Sequence, residues 1–156
     1  MLKKARQFAA LDLQQKSVLV QAWFMLGWMS AAIILVPFKR LSKSLTHHRE
    51  SVEPWTLTVE QQNQAIGIGK LVATAAQYTP WQSRCLVQVL VVQRLLARRN
   101  IPGQFYLGVH KGAEGGAAPT GLSAHAWLQC GDCIVNGGAG HEAFTVVSTF
   151  SWGQAG

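Results

Sequence analysis

The stretch SRCLVQVLVVQRLLARRN, residues 83–100, predicts the element around which the rest of the chain packs. Its middle is apolar on almost every side, which is typical of a helix buried at the centre of a domain. Ser83 is a suitable N-cap, and the arginines of the last turns complement the helix dipole. Asn100 and the pair Pro102–Gly103 then end the helix and turn the chain.

After this helix the pattern changes to that of a small antiparallel sheet. The strand candidates are residues 104–110, 122–130 and 133–136, with a glycine-rich loop at 112–121 and one further edge strand near the C-terminus. Gly131 and Asp132 form a two-residue hairpin loop between the second and third strands. Helices followed by a sheet predict an α+β fold in which the central helix packs on the sheet.

The chain before the central helix divides into an N-terminal helical extension, residues 1–54, and the start of a core that covers residues 55–156. Within the extension, residues 17–36 (SVLVQAWFMLGWMSAAIILV) are uncharged and have basic flanks, so they are long enough to span a bilayer. Pro37 ends this run, and no signal-peptide cleavage site follows it. The pattern is equally typical of a helix buried in protein, and the sequence leaves both open.

The amino-acid composition indicates the charge of the partners and the redox compartment of the protein, but it does not select a function. Hydrophobic residues make up 49% of the chain and charged residues 13%, while 14 Lys and Arg against 7 Asp and Glu leave a net charge of +7. A basic surface favours an acidic partner, whether peptide, anionic lipid or nucleic acid. Three cysteines, an odd number, argue against a disulfide framework and predict a reducing compartment, the cytoplasm.

Two residues form a candidate nucleophilic pair. Cys85 lies near the start of the central helix, where free backbone N–H groups and the positive end of the dipole favour a thiolate. His125 lies on the first strand of the hairpin, and a thiolate beside an imidazole is the arrangement that cysteine nucleophiles use. Taken singly, Cys85 is also typical of a buried core thiol, and His125 of a structural strand histidine.

Such a pair needs a third group that orients the imidazole. Counting outward from the turn places Asn136 opposite Trp127, and therefore diagonal to His125 on the same face. Asp132, at the turn, is about 20 Å away at about 3.3 Å per residue. The expected catalytic set is therefore Cys85, His125 and Asn136.

Cys130 and Cys133 form a Cys-x-x-Cys pair, a spacing that also occurs in zinc and redox sites. A zinc site needs two further ligands and a redox pair belongs at a helix start, whereas these two cysteines flank a hairpin turn. We expect them to face each other as small apolar residues across the first pair of the hairpin. A metal or redox module centred on them is the alternative.

The segments SRCLVQVLVVQRLLARRNIPGQFYLGVHKG and SAHAWLQCGDCIVNGG resemble the leader peptidase of lasso peptide biosynthesis, a B protein of the transglutaminase-like cysteine peptidases. The shared pattern is a Cys-Leu helix start, a leucine-rich helix ending in Arg-Arg, a strand ending in Gly-Val and a His-Ala-Trp strand before a hairpin. The apolar N-terminal helix with PFKRL, residues 37–41, resembles that family's leading segment. The family commonly has an acidic residue where this chain has Asn136, Gly137 and Gly138.

The resemblance implies a transglutaminase/papain-like core with Cys85 as nucleophile and His125 as general base and acid. Members of this family remove the leader from a ribosomally made precursor, so that an ATP-dependent cyclase can close a macrolactam on the freed amine. We therefore expect a cysteine endopeptidase without cofactor or metal. Its expected partners are the precursor peptide, a separate leader-recognition protein and the cyclase, and not nucleic acid. The Cys85 backbone N–H and a donor from Gln82 or Ser83 are the expected oxyanion hole.

Three alternatives stay open from the sequence. A transglutaminase-like acyltransferase would use the same cysteine and histidine with an amine in place of water. A membrane-anchored binding or assembly protein follows if residues 17–36 lie in lipid, so a cytoplasmic location with membrane association is retained. The Cys-x-x-Cys module is the third.

Overall fold

The computed structural model describes residues 11–48, 53–80, 84–111 and 122–153. Its helices and strands are α1 (Leu13–Leu35), α2 (Phe38–Leu41), β1 (Thr46–His48), α3 (Val59–Ala76), α4 (Cys85–Ala97), β2 (Gly103–Lys111), β3 (Leu122–Cys130), β4 (Cys133–Asn136), a 3-10 turn (His141–Ala143) and β5 (Thr145–Trp152). This order confirms the predicted α+β fold with N-terminal helices. The predicted loop at 112–121 and Ser83 lie outside the described residues, and the prediction of Ser83 as the N-cap of α4 is wrong, because Arg84 takes that position.

The five strands form one antiparallel sheet in the order β1-β5-β2-β3-β4. The predicted position of the C-terminal strand is wrong, because β5 lies inside the sheet between β1 and β2. The edge belongs to β1, which the sequence did not predict because three polar residues carry no alternating pattern. His48 attaches this short strand through a 2.8 Å hydrogen bond to the Ser151 hydroxyl.

In the described ranges, one hydrophobic core lies between the helices and one face of the sheet. α4 is buried on nearly every side and packs against α1, α3, β3 and β4, which confirms the central helix expected from its all-round apolar sequence. On the sheet, Phe105, Ala126 and Leu128 belong to this core. Side chains alternate along a strand, so the residues between them point to the other face.

α1 begins at Leu13, because Asp12 caps the helix and forms a capping box with Gln15. It extends four residues further towards the N-terminus than the apolar run 17–36 and ends at Leu35. One face of α1 packs on α3 and α4 through buried residues in helical spacing, Val18, Ala22, Leu26 and Met29. In the described part of the chain, α1 is the one helix long and apolar enough to cross a membrane.

α1 thus shares its core with helices on the other side of the predicted boundary at residues 54 and 55. α3 begins after Thr58, whose side chain and Gln61 form a second capping box. The division into an extension (residues 1–54) and a core (residues 55–156) as separate folding units stays a prediction. The hydrophobic core is continuous across that boundary.

Candidate active site

Cys85 is the first residue of α4, and its side chain is partly exposed while packing against the edge of the core. The residue before it, Arg84, takes the N-cap position with an extended backbone and no side-chain hydrogen bond to the helix. The first backbone N–H groups of α4 therefore receive no cap from Arg84. The expected oxyanion donors Gln82 and Ser83 lie outside the described residues.

His125 lies on β3 opposite Gly108 of β2, and its ring is surrounded by aromatic side chains. Its ring centroid is 5.9 Å from that of Trp127 and 5.1 Å from that of Phe144. The absence of a side chain at Gly108 leaves space for these aromatic rings, because a Cβ there would lie 2.8 Å from the Trp127 ring and 2.9 Å from the Phe144 Cβ. Gly108, Trp127 and Phe144 together hold the imidazole at this end of the sheet.

The Nε2 atom of His125 lies 2.7 Å from the carbonyl oxygen of Gly137. A carbonyl oxygen only accepts, so Nε2 carries the proton and donates it in this hydrogen bond. In the neutral ring the lone pair is then on Nδ1, which is the atom available as a base. Gly137 reaches this position with a φ of 71°, and a Cβ on it would overlap the Ala126 carbonyl oxygen.

Asn136 does not pair as counting from the turn predicts. Cys130 pairs with Cys133 and Gln129 with Ile134, but the register then shifts, and Asn136 pairs with Leu128 instead of Trp127. Val135 is the extra residue of this β-bulge, and a shift of one residue moves a side chain to the opposite face.

The side chain of Asn136 is consequently buried on the core side of the sheet. Its Oδ1 has no hydrogen-bond partner among the described residues. The diagonal contact with the His125 ring that the sequence predicts is absent, and the Gly137 carbonyl occupies that place.

Cys85 and His125 are on neighbouring elements, since α4 packs on β3. Ala126 and Leu128 face the core that contains α4, whereas the His125 ring lies on the other face with Trp127. Within the described residues, the Cys85 thiol donates no hydrogen bond to His125. The structure therefore does not assemble Cys85, His125 and Asn136 into a triad.

The Cys130–Cys133 pair closes the hairpin in the register that the sequence predicts. Both are free thiols, and Gln62 of α3 donates to the Cys133 sulfur at 3.0 Å. Burial, and to a smaller extent the neighbouring Cys133, raise the pKa of the Cys130 thiol to about 12. Cys130 is therefore protonated at neutral pH and is a poor nucleophile.

Sequence reasoning missed three parts of the site: the Gly137 carbonyl, Phe144 and His141. The ring of His141 lies 5.5 Å from Trp127, and its Nδ1 hydrogen-bonds the Gly138 carbonyl at 2.6 Å. The Gly-Gly pair after β4 could have predicted the left-handed φ of Gly137, because such a pair is typical of a bulge or tight turn. In the described ranges 11–48, 53–80, 84–111 and 122–153, no group of three or more His, Cys, Asp and Glu could hold a metal ion.

No curated protein and no solved structure matches this chain significantly. A family model does match, over residues 32–149, which is more than half of the chain and includes Cys85, His125 and the Gly137 carbonyl. The match begins inside α1 and ends inside β5. The superfamily that this model describes, the transglutaminase-like superfamily, includes cysteine peptidases and acyltransferases. The chain belongs to the transglutaminase-like superfamily.

Proposed function

We propose that this protein is a cysteine endopeptidase that removes the leader from a ribosomally synthesised lasso precursor, before a partner cyclase forms the macrolactam. Its proposed partners are the precursor, a separate leader-recognition protein and the ATP-dependent cyclase. Membership of the transglutaminase-like superfamily supports a cysteine-based reaction at a peptide carbonyl. The finer assignment rests on the resemblance of residues 83–112 and 123–138 to the lasso leader peptidases.

The observation that carries the proposal is the hydrogen bond from His125 Nε2 to the Gly137 carbonyl. It fixes one tautomer of the ring and leaves Nδ1 with its lone pair, the form that a general base needs. The strand that bears this base packs against the helix whose first residue is Cys85. A thiol at a helix start and a base on the adjoining strand supply a nucleophile and its activator.

The proposed reaction has two halves. In the first, His125 Nδ1 takes the thiol proton, the Cys85 sulfur attacks the carbonyl carbon at the leader–core junction, and the imidazolium returns the proton to the leaving amine of the core. This leaves the leader bound to Cys85 as a thioester. In the second half, His125 deprotonates a water molecule, which attacks the thioester; the leader leaves as a carboxylate, and the imidazolium returns the proton to the Cys85 sulfur.

Two groups are candidates for orienting His125. The sequence predicts Asn136, and the Gly137 carbonyl accepts the Nε2 proton in the structure. We assign the role to the Gly137 carbonyl, because the bulge at Val135 turns Asn136 towards the core. A carbonyl carries a partial rather than a full negative charge, so it orients the ring with less stabilisation of the imidazolium than a carboxylate gives.

The His125 ring lies on the sheet face opposite the core that contains α4, so the proposed reaction requires a rearrangement that brings Nδ1 to the Cys85 sulfur when the precursor binds. The approach involves the first turn of α4 and the segment that follows β4, which are the elements that carry the thiol and the Gly137 carbonyl.

The test is cleavage of a lasso precursor peptide, incubated with this protein and its leader-recognition partner and measured by mass spectrometry. We expect products whose masses correspond to a leader carboxylate and a core with a free amine. Cys85→Ala should abolish cleavage and Cys133→Ser should retain it. Full cleavage by Cys85→Ala would overturn the proposal.

The superfamily match equally favours an acyltransferase, because both reactions pass through the same thioester. The same assay separates the two reactions when a primary amine is added. Hydrolysis gives the leader carboxylate at all amine concentrations, whereas a transferase gives a leader amide as its main product.

A further inference from the structure

The outward face of α1 carries an apolar stripe that the described chain leaves exposed, continuous from Val20 to Leu35 and separated from Leu13 by Ser17. Its residues recur at spacings of three, four and seven along 23 residues of helix: Leu13, Val20, Phe24, Trp28, Ala31 and Leu35. We call this set the outer α1 stripe. Phe24 is 66% exposed and Trp28 is 73% exposed. Isolated exposed apolar residues are ordinary, but a continuous run of this size indicates an interaction surface.

The stripe lies opposite the face that packs in the protein. Phe24 follows buried Ala22 by two positions, as Trp28 follows Leu26, and two positions correspond to about 200° of rotation around a helix. α1 is therefore apolar on both sides, with one side already occupied by α3 and α4. A helix that is apolar all round is normally buried all round, which implies that something covers the outer stripe.

The charges that follow α1, up to residue 48, are all positive, whereas Asp12 caps its N-terminus. Residues 13–48 contain no aspartate or glutamate, and the exposed cations Lys39, Arg40 and Lys43 follow within eight residues of the helix end. The whole chain carries +7. Clusters of cations beside an apolar helix face are attracted to anionic lipid headgroups.

Between Val20 and Leu35 the exposed side of α1 has one polar side chain, Gln21, which lies at the margin of the stripe and donates a hydrogen bond to Ser17. A docking site for a folded protein usually carries about one hydrogen bond per 100–200 Å² and a polar rim, whereas this stripe has only Gln21 at its margin along about 22 Å of helix, at about 1.5 Å per residue. A lipid surface requires no hydrogen bonds from the face that enters the acyl region.

We infer that α1 docks the protein on an anionic membrane surface, with the outer α1 stripe in the lipid interface and the opposite face packed on the protein. The helix lies in the plane of the membrane and does not cross it. Crossing would remove Ala22 and Leu26 from contact with α3 and α4, and both are fully buried there. This inference does not depend on the proposed peptidase activity.

The test is cosedimentation of the full chain with vesicles of phosphatidylcholine, with and without phosphatidylglycerol. We expect binding to the anionic vesicles that weakens as salt rises, because salt screens the attraction to the headgroups. The double variant Phe24→Ser/Trp28→Ser should lower the partition coefficient about tenfold or more, since each aromatic loses its burial in lipid. Val147→Ser, an exposed apolar residue on β5, is the matched control and should bind as the wild type does.

Other outcomes contradict the inference. Equal binding by wild type and the Phe24/Trp28 variant, with both folded by circular dichroism, would show that the stripe is not the membrane contact. Vesicle-bound protein that resists extraction at alkaline pH would indicate a spanning helix. A wild-type dimer that the double variant dissociates, without vesicle binding, would assign the stripe to a second copy of the chain.

Discussion

His125 and Gly137 are joined by a hydrogen bond of 2.7 Å in which the ring Nε2 donates to the main-chain carbonyl. The relationship has two consequences. It orients the imidazole through the backbone, so no side chain of an orienting residue is needed. It also makes the conformation at Gly137, with its φ of 71°, part of the site.

The first prediction concerns the orienting group. Gly137→Ala should misplace the carbonyl, because the new Cβ would overlap the Ala126 carbonyl oxygen and Trp127. We expect a fall in the cleavage rate of about 10-fold to 100-fold, less than the full contribution of about 100-fold to 10,000-fold of a general base, because the base itself remains. Nitrogen NMR of His125 should show the Nε2–H tautomer in the wild type and lose it in the variant.

Asn136→Ala is the control for this prediction. It should keep the Nε2–H tautomer and most of the cleavage rate. Its stability should stay within about 1 kcal/mol of the wild type, because removing a buried oxygen without a partner offsets the lost packing. If Asn136→Ala loses as much activity as His125→Ala while remaining folded, Asn136 is the orienting group.

The second prediction concerns the aromatic side chains around His125. Gly108→Ala brings a Cβ within 2.8 Å of the Trp127 ring, and we expect the strain to lower the free energy of unfolding by about 1–3 kcal/mol. Gly67→Ala in α3 is the matched control, since nothing lies within 4 Å of its Cβ. The control should be stabilised by about 0.5–1 kcal/mol, because alanine is the better helix former. Urea unfolding of the three proteins measures both effects.

A third prediction concerns α1 as part of the folded core. Leu26→Ala, at a fully buried position, should lower the free energy of unfolding by about 2–5 kcal/mol. Phe24→Ala, on the outer α1 stripe, should change it by less than about 0.5 kcal/mol in the absence of lipid. Equal effects of the two substitutions on the urea midpoint would show that α1 does not pack as described.

The pKa of Cys130 gives a fourth prediction. Its ordinary value is 9.0 and burial raises it to about 12 in the folded protein. Below pH 9 the thiol is protonated in both states and contributes no pH dependence. Above pH 9 the unfolded chain loses the proton first, so stability falls by about 1.4 kcal/mol per pH unit until the folded pKa is reached.

Cys130→Ala isolates this contribution. The variant should lack that part of the decline between pH 9 and about pH 11, measured by urea unfolding under reducing conditions. Parallel pH profiles for the wild type and Cys130→Ala would mean that the folded and unfolded thiols titrate alike.

Much of the local structure could be predicted from the sequence. The bounds of β3 and β4 match the predicted strands, because a Gly-Asp turn and alternating residues mark the hairpin. α4 follows from its apolar sequence and terminal signals, and Cys85 lies at the helix start as its pattern predicts.

Two features depended on contacts that the sequence does not encode locally. The bulge at Val135 changed the pairing of Asn136, and counting from the turn assumes an unbroken register. The place of β5 beside β2 is set by long-range pairing, so its central position could not be read from its own residues. The contact between Phe144 and His125 follows from that pairing.

The identity of the nucleophile is the central claim, and the mass of the intact protein tests it most directly. We predict that the wild type, mixed with the precursor and its recognition partner and quenched in acid, gains the mass of the leader acyl group. Peptide mapping should place that mass on Cys85, with Cys130 and Cys133 unmodified. A leader adduct on Cys133, or an adduct that forms in Cys85→Ala, would contradict the account.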